Sequence, residues 1–216
     1  ETTNFQLSWP FSQAEPLIEA WQAWAPAAPE ELAASLLIKS AADPDDEPSV
    51  GVAGVFLGGE PDALELIDRL VTRAPADPIA FESRQLPFRE TARYWGARAA
   101  REPVAGEPAG QELRGCRFIR SEYYRQALAL EAIRALLGNF AAHRVAGETR
   151  ELDFSPWGGA YNRQTPDATA FAHREERFIL KHAGEVAPGA GTEKREAAQA
   201  WTRRSWNTVH PWASGR

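Results

Sequence analysis

Between Phe5 and Ser83 the hydrophobic period switches between two and 3.6 in an order that leaves few folds open. Phe5–Trp9 alternates apolar and polar residues, as a half-buried strand does. Leu17, Ile18, Trp21, Trp24 and Ala25 then share one helical face, with Ser12 and Glu15 spaced as a capping box and Pro26 as the stop. Ser35–Ser40 and Val50–Leu57 are apolar runs of strand length, separated by the acidic, proline-bearing turn Ala41–Pro48. After Gly58-Gly59, the residues Leu64, Ile67, Leu70 and Val71 line a second helix, and Ile79–Ser83 closes the series as a strand. This is the order βαββαβ, the ferredoxin-like or split βαβ unit. It predicts an α+β fold: an antiparallel sheet with helices packed on one face.

The remainder extends that sheet. Leu86–Gly96 reads as a short helix with an aromatic end, and Arg98–Gly115, rich in Pro, Gly and Glu, as a surface loop. Cys116–Ile119 is a strand that enters Ser121-Glu-Tyr-Tyr. Leu130, Ile133, Leu136, Leu137 and Phe140 build the strongest helix of this half, which ends near Gly138-Asn139 or a little later. Two strand-like runs follow, Glu151–Phe154 and Arg177–His182, and a last helix spans Glu193–Val209 after the turn Pro188–Thr192. Strands again flank a long helix, so the second half resembles a looser continuation of the first, without an exact repeat.

With 216 residues and 44% hydrophobic content the chain can bury a substantial core. It reads as a single domain over residues 1–216. A net charge of −6 argues against a dedicated nucleic-acid or anionic-membrane surface. No apolar run approaches the roughly 20 residues that span a bilayer. Cys116 is the single cysteine, which excludes an internal disulfide and leaves the compartment open. Beside Arg114 and Arg117 its thiol could be acidified, although a buried structural thiol is the expected role. His143, His173, His182 and His210 show no metal-ligand spacing, so no metal site is expected. There is no methionine, even at position 1, which leads to the expectation that the chain is a piece of a longer product.

The stretch from Leu152 to His182 carries the functional reading. It holds the two strands, the pair Gly158-Gly159, an Asn-Arg turn and the hexapeptide Thr169-Ala-Phe-Ala-His-Arg174. Alone, the glycine pair says only that the backbone needs positive φ or close approach. The whole string resembles the substrate-domain signature of FAD-linked oxidases of the berberine bridge enzyme type. The likeness continues through Leu7-Ser-Trp9, the run from Glu19 to Leu32, Val52–Gly58, Ser121–Tyr124 and His210–Gly215.

That resemblance implies a cap domain that roofs the flavin, while FAD is held mainly by another domain of the same polypeptide. The family's Arg-Ser-Gly-Gly-His-like flavin-linking motif does not occur here, nor does its C-terminal Asn-Tyr segment. The implied chemistry is oxidation of an alcohol, amine or activated carbon, with O2 as acceptor; alone, the chain would be inactive.

Several residues follow as candidates. The family's base or polar orienting group falls on Ser155, three residues before the glycine pair. A serine hydroxyl is a poor base near neutral pH, so Asp153, two residues earlier on the same strand face, could substitute. The alternative is that both make turn or cap bonds before Pro156. On the second strand, alternation groups Phe178, Leu180 and His182 against Arg177, Ile179 and Lys181. The resemblance turns the first group toward the flavin, making His182 the titratable candidate and Phe178 and Leu180 substrate contacts. Tyr161 is a further substrate-binding candidate, and Gly158 and Gly159 are cofactor-side positions. His173-Arg174 is expected to brace the loop, and Trp9, Trp21 and Trp24 to pack in the core.

The face with Ser155, Phe178, Leu180 and His182 would then be a partly apolar patch that drives poor solubility or a homodimer. Two other readings remain at this stage. One is a stand-alone ferredoxin-like module that binds a ligand or partner on its open sheet. The other is a cofactor-independent dimeric enzyme.

Overall fold

The computed structural model describes residues 1–99 and 115–215. Its strands are β1 (Thr2–Pro10), β2 (Leu32–Lys39), β3 (Ser49–Phe56), β4 (Ala80–Leu86), β5 (Cys116–Tyr124), β6 (Glu148–Pro156) and β7 (Phe178–Val186). The helices are α1 (Ala14–Trp24), α2 (Glu60–Val71), α3 (Phe88–Ala99), α4 (Leu130–Ala141) and α5 (Thr192–Val209). One antiparallel sheet contains all seven strands in the order β4-β1-β3-β2-β6-β7-β5. The α+β class and the ferredoxin-like start are therefore as expected.

Four helices, α1, α2, α4 and α5, cover one face. The strands turn their large apolar residues toward them, and Trp9, Trp21, Trp201, Phe5, Phe140, Phe154 and Phe178 are at most 1% exposed. Trp21 meets Phe154 and Phe178 edge-on, both at 5.9 Å between ring centroids. The indole N–H groups of Trp9, Trp21 and Trp24 donate to the carbonyls of Ala76, Ala34 and Leu66, so these expected core residues are packed and satisfied.

One cluster in this core is ionic. Arg150 on β6 donates to Glu148 Oε1 at 3.0 Å and to the carbonyls of Phe140, Ala142 and His143, which end α4, and it lies over the Trp201 ring. A buried guanidinium thus supplies the donors that the last turn of α4 lacks.

Two local expectations are corrected. Ser12 does not cap α1: a 3-10 turn over Phe11–Gln13 precedes the helix, and no side chain caps either element. Glu15 is drawn instead to Arg134 of α4, in two hydrogen bonds of 3.0 Å. The aromatic helix after Leu86 runs to Ala99 and so takes in Arg98. The rest of the expected loop, residues 100–114, lies outside the described residues.

The other face of the sheet is open at its centre. At one end α3 lies over β1, where Thr91 meets Thr2, Trp95 Nε1 donates to Asn4 Oδ1 at 2.9 Å, and Arg98 donates to Gln6 Oε1 at 2.7 Å. At the other end stands the loop between β6 and β7, residues 157–177. Between them the floor consists of Gly51 and Ala53 of β3, Ala33, Ser35 and Leu37 of β2, and the outward residues of β6 and β7.

Candidate functional site

A row of polar side chains crosses the open face. Directly paired residues in an antiparallel sheet share a face, and the register sets Leu37 beside Asp153 and Asp153 beside Lys181. Lys181 Nζ donates to Asp153 Oδ2 at 2.7 Å and lies 3.1 Å from Glu151 Oε1. Ser155 Oγ donates to Asp153 Oδ1 at 2.8 Å, and Ser35 Oγ is 3.0 Å from Ser155 Oγ. Arg117 of β5 completes the row, 2.9 Å from Glu151 and 3.7 Å from Glu185.

Burial opposes the charge on Lys181. The hydrogen bond to Asp153 and the negative charges of Asp153 and Glu151 outweigh it, and the ammonium titrates above an ordinary lysine. The row therefore holds a persistent cation with carboxylates on either side, in a half-buried setting.

The sequence expectation placed Asp153 and Ser155 on one face of their strand, and the structure brings them into hydrogen-bond contact there. It reverses the second strand. His182 pairs across from Leu152, Leu180 from Phe154 and Phe178 from Pro156, so these three point into the helix-side core and are fully buried. The reason is the hydrophobic effect acting on alternation. Of the two groups on β7, the more apolar one went under the helices. The group with Ile179 and Lys181 took the open face. His182 Nδ1 is 2.8 Å from Ser205 Oγ of α5, and burial pulls its pKa down to about 3. It is a neutral core residue, neither a base nor an orienting group at the open face. The expected apolar patch of Ser155, Phe178, Leu180 and His182 does not exist, and self-association loses that basis.

The loop after β6 forms an aromatic bank beside the row. Trp157 is within 5.0 Å of Tyr123 and stacks on Tyr161 at 4.6 Å, while Phe171 closes the group. Gly158 and Gly159 make the turn into this bank with φ of +151° and +58°, a region other residues rarely adopt. A Cβ on Gly159 would also press on Glu30, 3.2 Å away, and Glu30 itself pairs with Arg163. Tyr161 is 53% exposed at the rim.

His173 and Arg174 brace this loop, as expected. Arg174 donates to the Tyr161 carbonyl at 3.1 Å and to Thr169 Oγ1 at 2.6 Å, beneath the Phe171 ring. His173 stacks on Tyr123 at 4.2 Å and shares the fully buried Glu176 carboxylate with Ser214, 3.1 Å and 2.5 Å away, and with Arg125.

Three contributors escaped the sequence reading. Lys181 was in the correct alternation group but on the wrong face. Ser35 lies on a strand with no local motif, and only the β2–β6 pairing brings it to Ser155. Glu176 is anonymous in a charged run until its burial is seen. Cys116 is half-buried beside Val186. Among the described residues, no group of three or more His, Cys, Asp and Glu is placed to hold a metal ion.

No protein-family model matches the sequence. The chain is 25% identical over 213 residues to YvdP of Bacillus subtilis, described as an uncharacterized FAD-linked oxidoreductase; the match covers 99% of this chain and 43% of that protein. Among solved structures it is similar to BBE-like 1 of Physcomitrella patens, with a TM-score of 0.78, 18% identity, and coverage of 100% of this chain and 44% of the other. It is similar also to berberine bridge enzyme from Eschscholzia californica, with a TM-score of 0.75, 17% identity, and coverage of 99% and 41%. The fold is thus that of one part of berberine bridge enzyme-like proteins, and the chain spans less than half the length of the relatives it matches.

Proposed function

We propose that this chain is the substrate-binding domain of an FAD-dependent oxidoreductase, its open sheet face roofing the flavin and the substrate. The observation that supports this most is the half-buried polar row Ser35–Ser155–Asp153–Lys181, set on an open face within a fold shared end to end with part of berberine bridge enzyme-like proteins. A titratable group shifted by specific charged partners on a recessed face, as Lys181 is, marks a functional-site candidate.

The fit to a flavin is partial. The small residues Gly51, Ala53 and Ala33 make a floor suited to one side of a planar ring, with Ser155 and Asp153 beside it. A phosphate cradle needs a glycine-rich loop running into a helix. Gly158-Gly159 leads into a 3-10 turn, Gly159–Tyr161, and can offer only close backbone approach. The dinucleotide part of FAD therefore belongs to another domain of the same polypeptide. Bound FAD would supply the acceptance of hydride from an alcohol, amine or activated carbon, with O2 as the final acceptor.

This chain's own share is binding and orientation. Asp153 and Ser155 offer acceptors to a substrate hydroxyl or amine, and Tyr161 and Trp157 supply an aromatic wall.

The test is the absorbance spectrum of the full-length gene product, purified, then denatured and filtered. A flavin band that stays with the protein supports a covalently flavinylated oxidase. A flavin that washes out keeps the function and removes the covalent link. A folded, colourless full-length protein overturns the proposal and favours a stand-alone binding module.

A further inference from the structure

The donors and acceptors in the polar row permit only one direction. An ionised carboxylate accepts and never donates, while an ammonium donates and never accepts. Asp153 therefore takes a proton from Lys181 on Oδ2 and from Ser155 on Oδ1. With its single hydroxyl hydrogen committed to Asp153, Ser155 must act as acceptor toward Ser35, 3.0 Å away. The row reads Ser35 to Ser155 to Asp153, every hydrogen pointing toward the carboxylate, and each serine oxygen keeps acceptor capacity for a further donor.

Resting on the function above, we infer that Lys181 is a positioning residue. By donating to Asp153 Oδ2 it sets the direction of this row and makes Ser155, with Ser35, a proton-accepting site for a substrate hydroxyl or amine N–H. When the substrate gives up that proton, it bonds to Ser155 Oγ as the Ser155 hydrogen moves to Asp153 Oδ1. The heteroatom keeps the electron pair, and no net charge is left on serine. Such a relay gives a serine position the basicity that its hydroxyl lacks alone.

The surroundings favour this polarity. Lys181 bridges Asp153 and Glu151, and its raised pKa keeps it charged across the neutral range. Among the described residues, the other charged groups facing Asp153 from its own strand and from β2 are Glu151 and, across from Glu151, Lys39. Arg117 holds Glu151 from the β5 side, and Lys181 is in direct contact with Asp153.

The experiment uses the full-length gene product, once flavin and a turned-over substrate have been found by absorbance and O2 uptake, with Lys181→Met and Lys181→Arg compared. Lys181→Met removes the ammonium that lies 2.7 Å from Asp153 Oδ2, and Lys181→Arg keeps a cation there. In Lys181→Met the acid limb of kcat/KM moves up by about one pH unit or more, with kcat falling more than KM rises. Lys181→Arg returns the limb toward its original place.

Infrared difference spectra between acidic and neutral pH read the same proton without turnover. A protonated-carboxyl band appears at higher pH in Lys181→Met and is lost on adding Asp153→Asn. An unmoved limb and band in Lys181→Met, or Lys181→Arg behaving as Met does, overturns the inference. A full-length protein without flavin overturns instead the function on which it rests.

Discussion

The two halves of the sheet are the same unit built twice. The elements β1-α1-β2-β3-α2 and β5-α4-β6-β7-α5 follow one topology, and their second strands meet antiparallel at the centre, which relates them by an approximate two-fold axis through the sheet. Even the register agrees. The row Phe5–Gly54–Ala34 of the first unit matches Phe118–Gly184–Arg150 of the second, and Leu7–Val52–Leu36 matches Arg120–His182–Leu152. The chemistry sits where the copies differ. On the open face the first unit has Ser8–Gly51–Leu37, and the second has Ser121–Lys181–Asp153 at the same places. The first joins its middle strands with residues 40–48; the second uses residues 157–177 and builds the aromatic bank there. The shared plan supplies a rigid floor, and a long connection and a few charged replacements supply the candidate site.

The largest expected effect comes from breaking the second unit where the first has no counterpart. Arg150 occupies the position of Ala34, with its side chain 1% exposed and its guanidinium both paired with Glu148 and capping α4. Arg150→Met leaves the Glu148 carboxylate buried without a cation and the last carbonyls of α4 without donors. It should cost about 3–5 kcal/mol in denaturant unfolding followed by tryptophan fluorescence. Adding Glu148→Gln should recover a large part of that loss. If Arg150→Met unfolds at the same denaturant concentration as the unmodified chain, the ionic cluster is not what secures the second unit.

The two core glycines sharpen the likeness. A Cβ at Gly54 would lie 2.7 Å from Phe5 Cζ and 2.9 Å from Ala34 Cα, and one at Gly184 would lie 2.9 Å from Thr202 Oγ1 and 3.0 Å from the Ala198 carbonyl. Each Gly→Ala change should destabilise by roughly 1–3 kcal/mol through overpacking. Because the two sites share no partners, the double variant should show the sum. A cost at Gly184 alone would mean that only the second helix layer is seated tightly on its strand.

This duplication was hardly legible in the sequence, although each element was. Strong periodicity exposed Leu17–Ala25, Val50–Leu57 and Leu130–Phe140, because packing demands the same spacing in any fold. The repeat was hidden because the spacing between equivalent strands changes when residues 157–177 enter between β6 and β7. Apart from Phe5 with Phe118, Ser8 with Ser121, Leu36 with Leu152, Ala53 with Ala183 and Gly54 with Gly184, the matched sheet positions change their residue. The candidate site was half legible. Asp153 and Ser155 could be read from one strand. Lys181 and Ser35 depend on the pairing of β6 with β7 and β2, and on which alternating set of β7 is buried.

His182 tests a single replacement between the copies, since Val52 holds its place in the first unit. Its folded-state pKa is pulled down to about 3, from an ordinary value near 6.5, by burial. The unfolded chain therefore binds a proton that the folded chain refuses between these values. The stability attached to this group is complete above pH ~6.5. It is lost at up to about 1.4 kcal/mol per pH unit as the pH falls toward 3. His182→Val, which copies the first unit, should flatten that part of the profile and change little at pH 7.5. Thermal midpoints measured across the window decide it: equal slopes in the two proteins would mean that His182 is protonated in the fold.

The smallest effect is expected where the two units touch through their helices at the surface. Arg134 of α4 meets Glu15 of α1 in a two-pronged pair, and this pair ties together helices at equivalent places in the copies. The geometry is good, and the pair lifts the pKa of Arg134, first through the hydrogen bond that Arg134 donates to Glu15 and then through the charge of Glu15. The Arg134 side chain is nonetheless 62% exposed, and water and salt screen most of what the geometry offers. The units are held together instead by the continuous sheet at β2 and β6 and by the core beneath it, where Trp21 of the first unit lies against Phe154 and Phe178 of the second. Glu15→Gln with Arg134→Gln should leave the unfolding midpoint unchanged within error at 0.15 M salt. A clear drop that disappears at high salt would instead make the helix pair, and not only the sheet, part of what joins the copies.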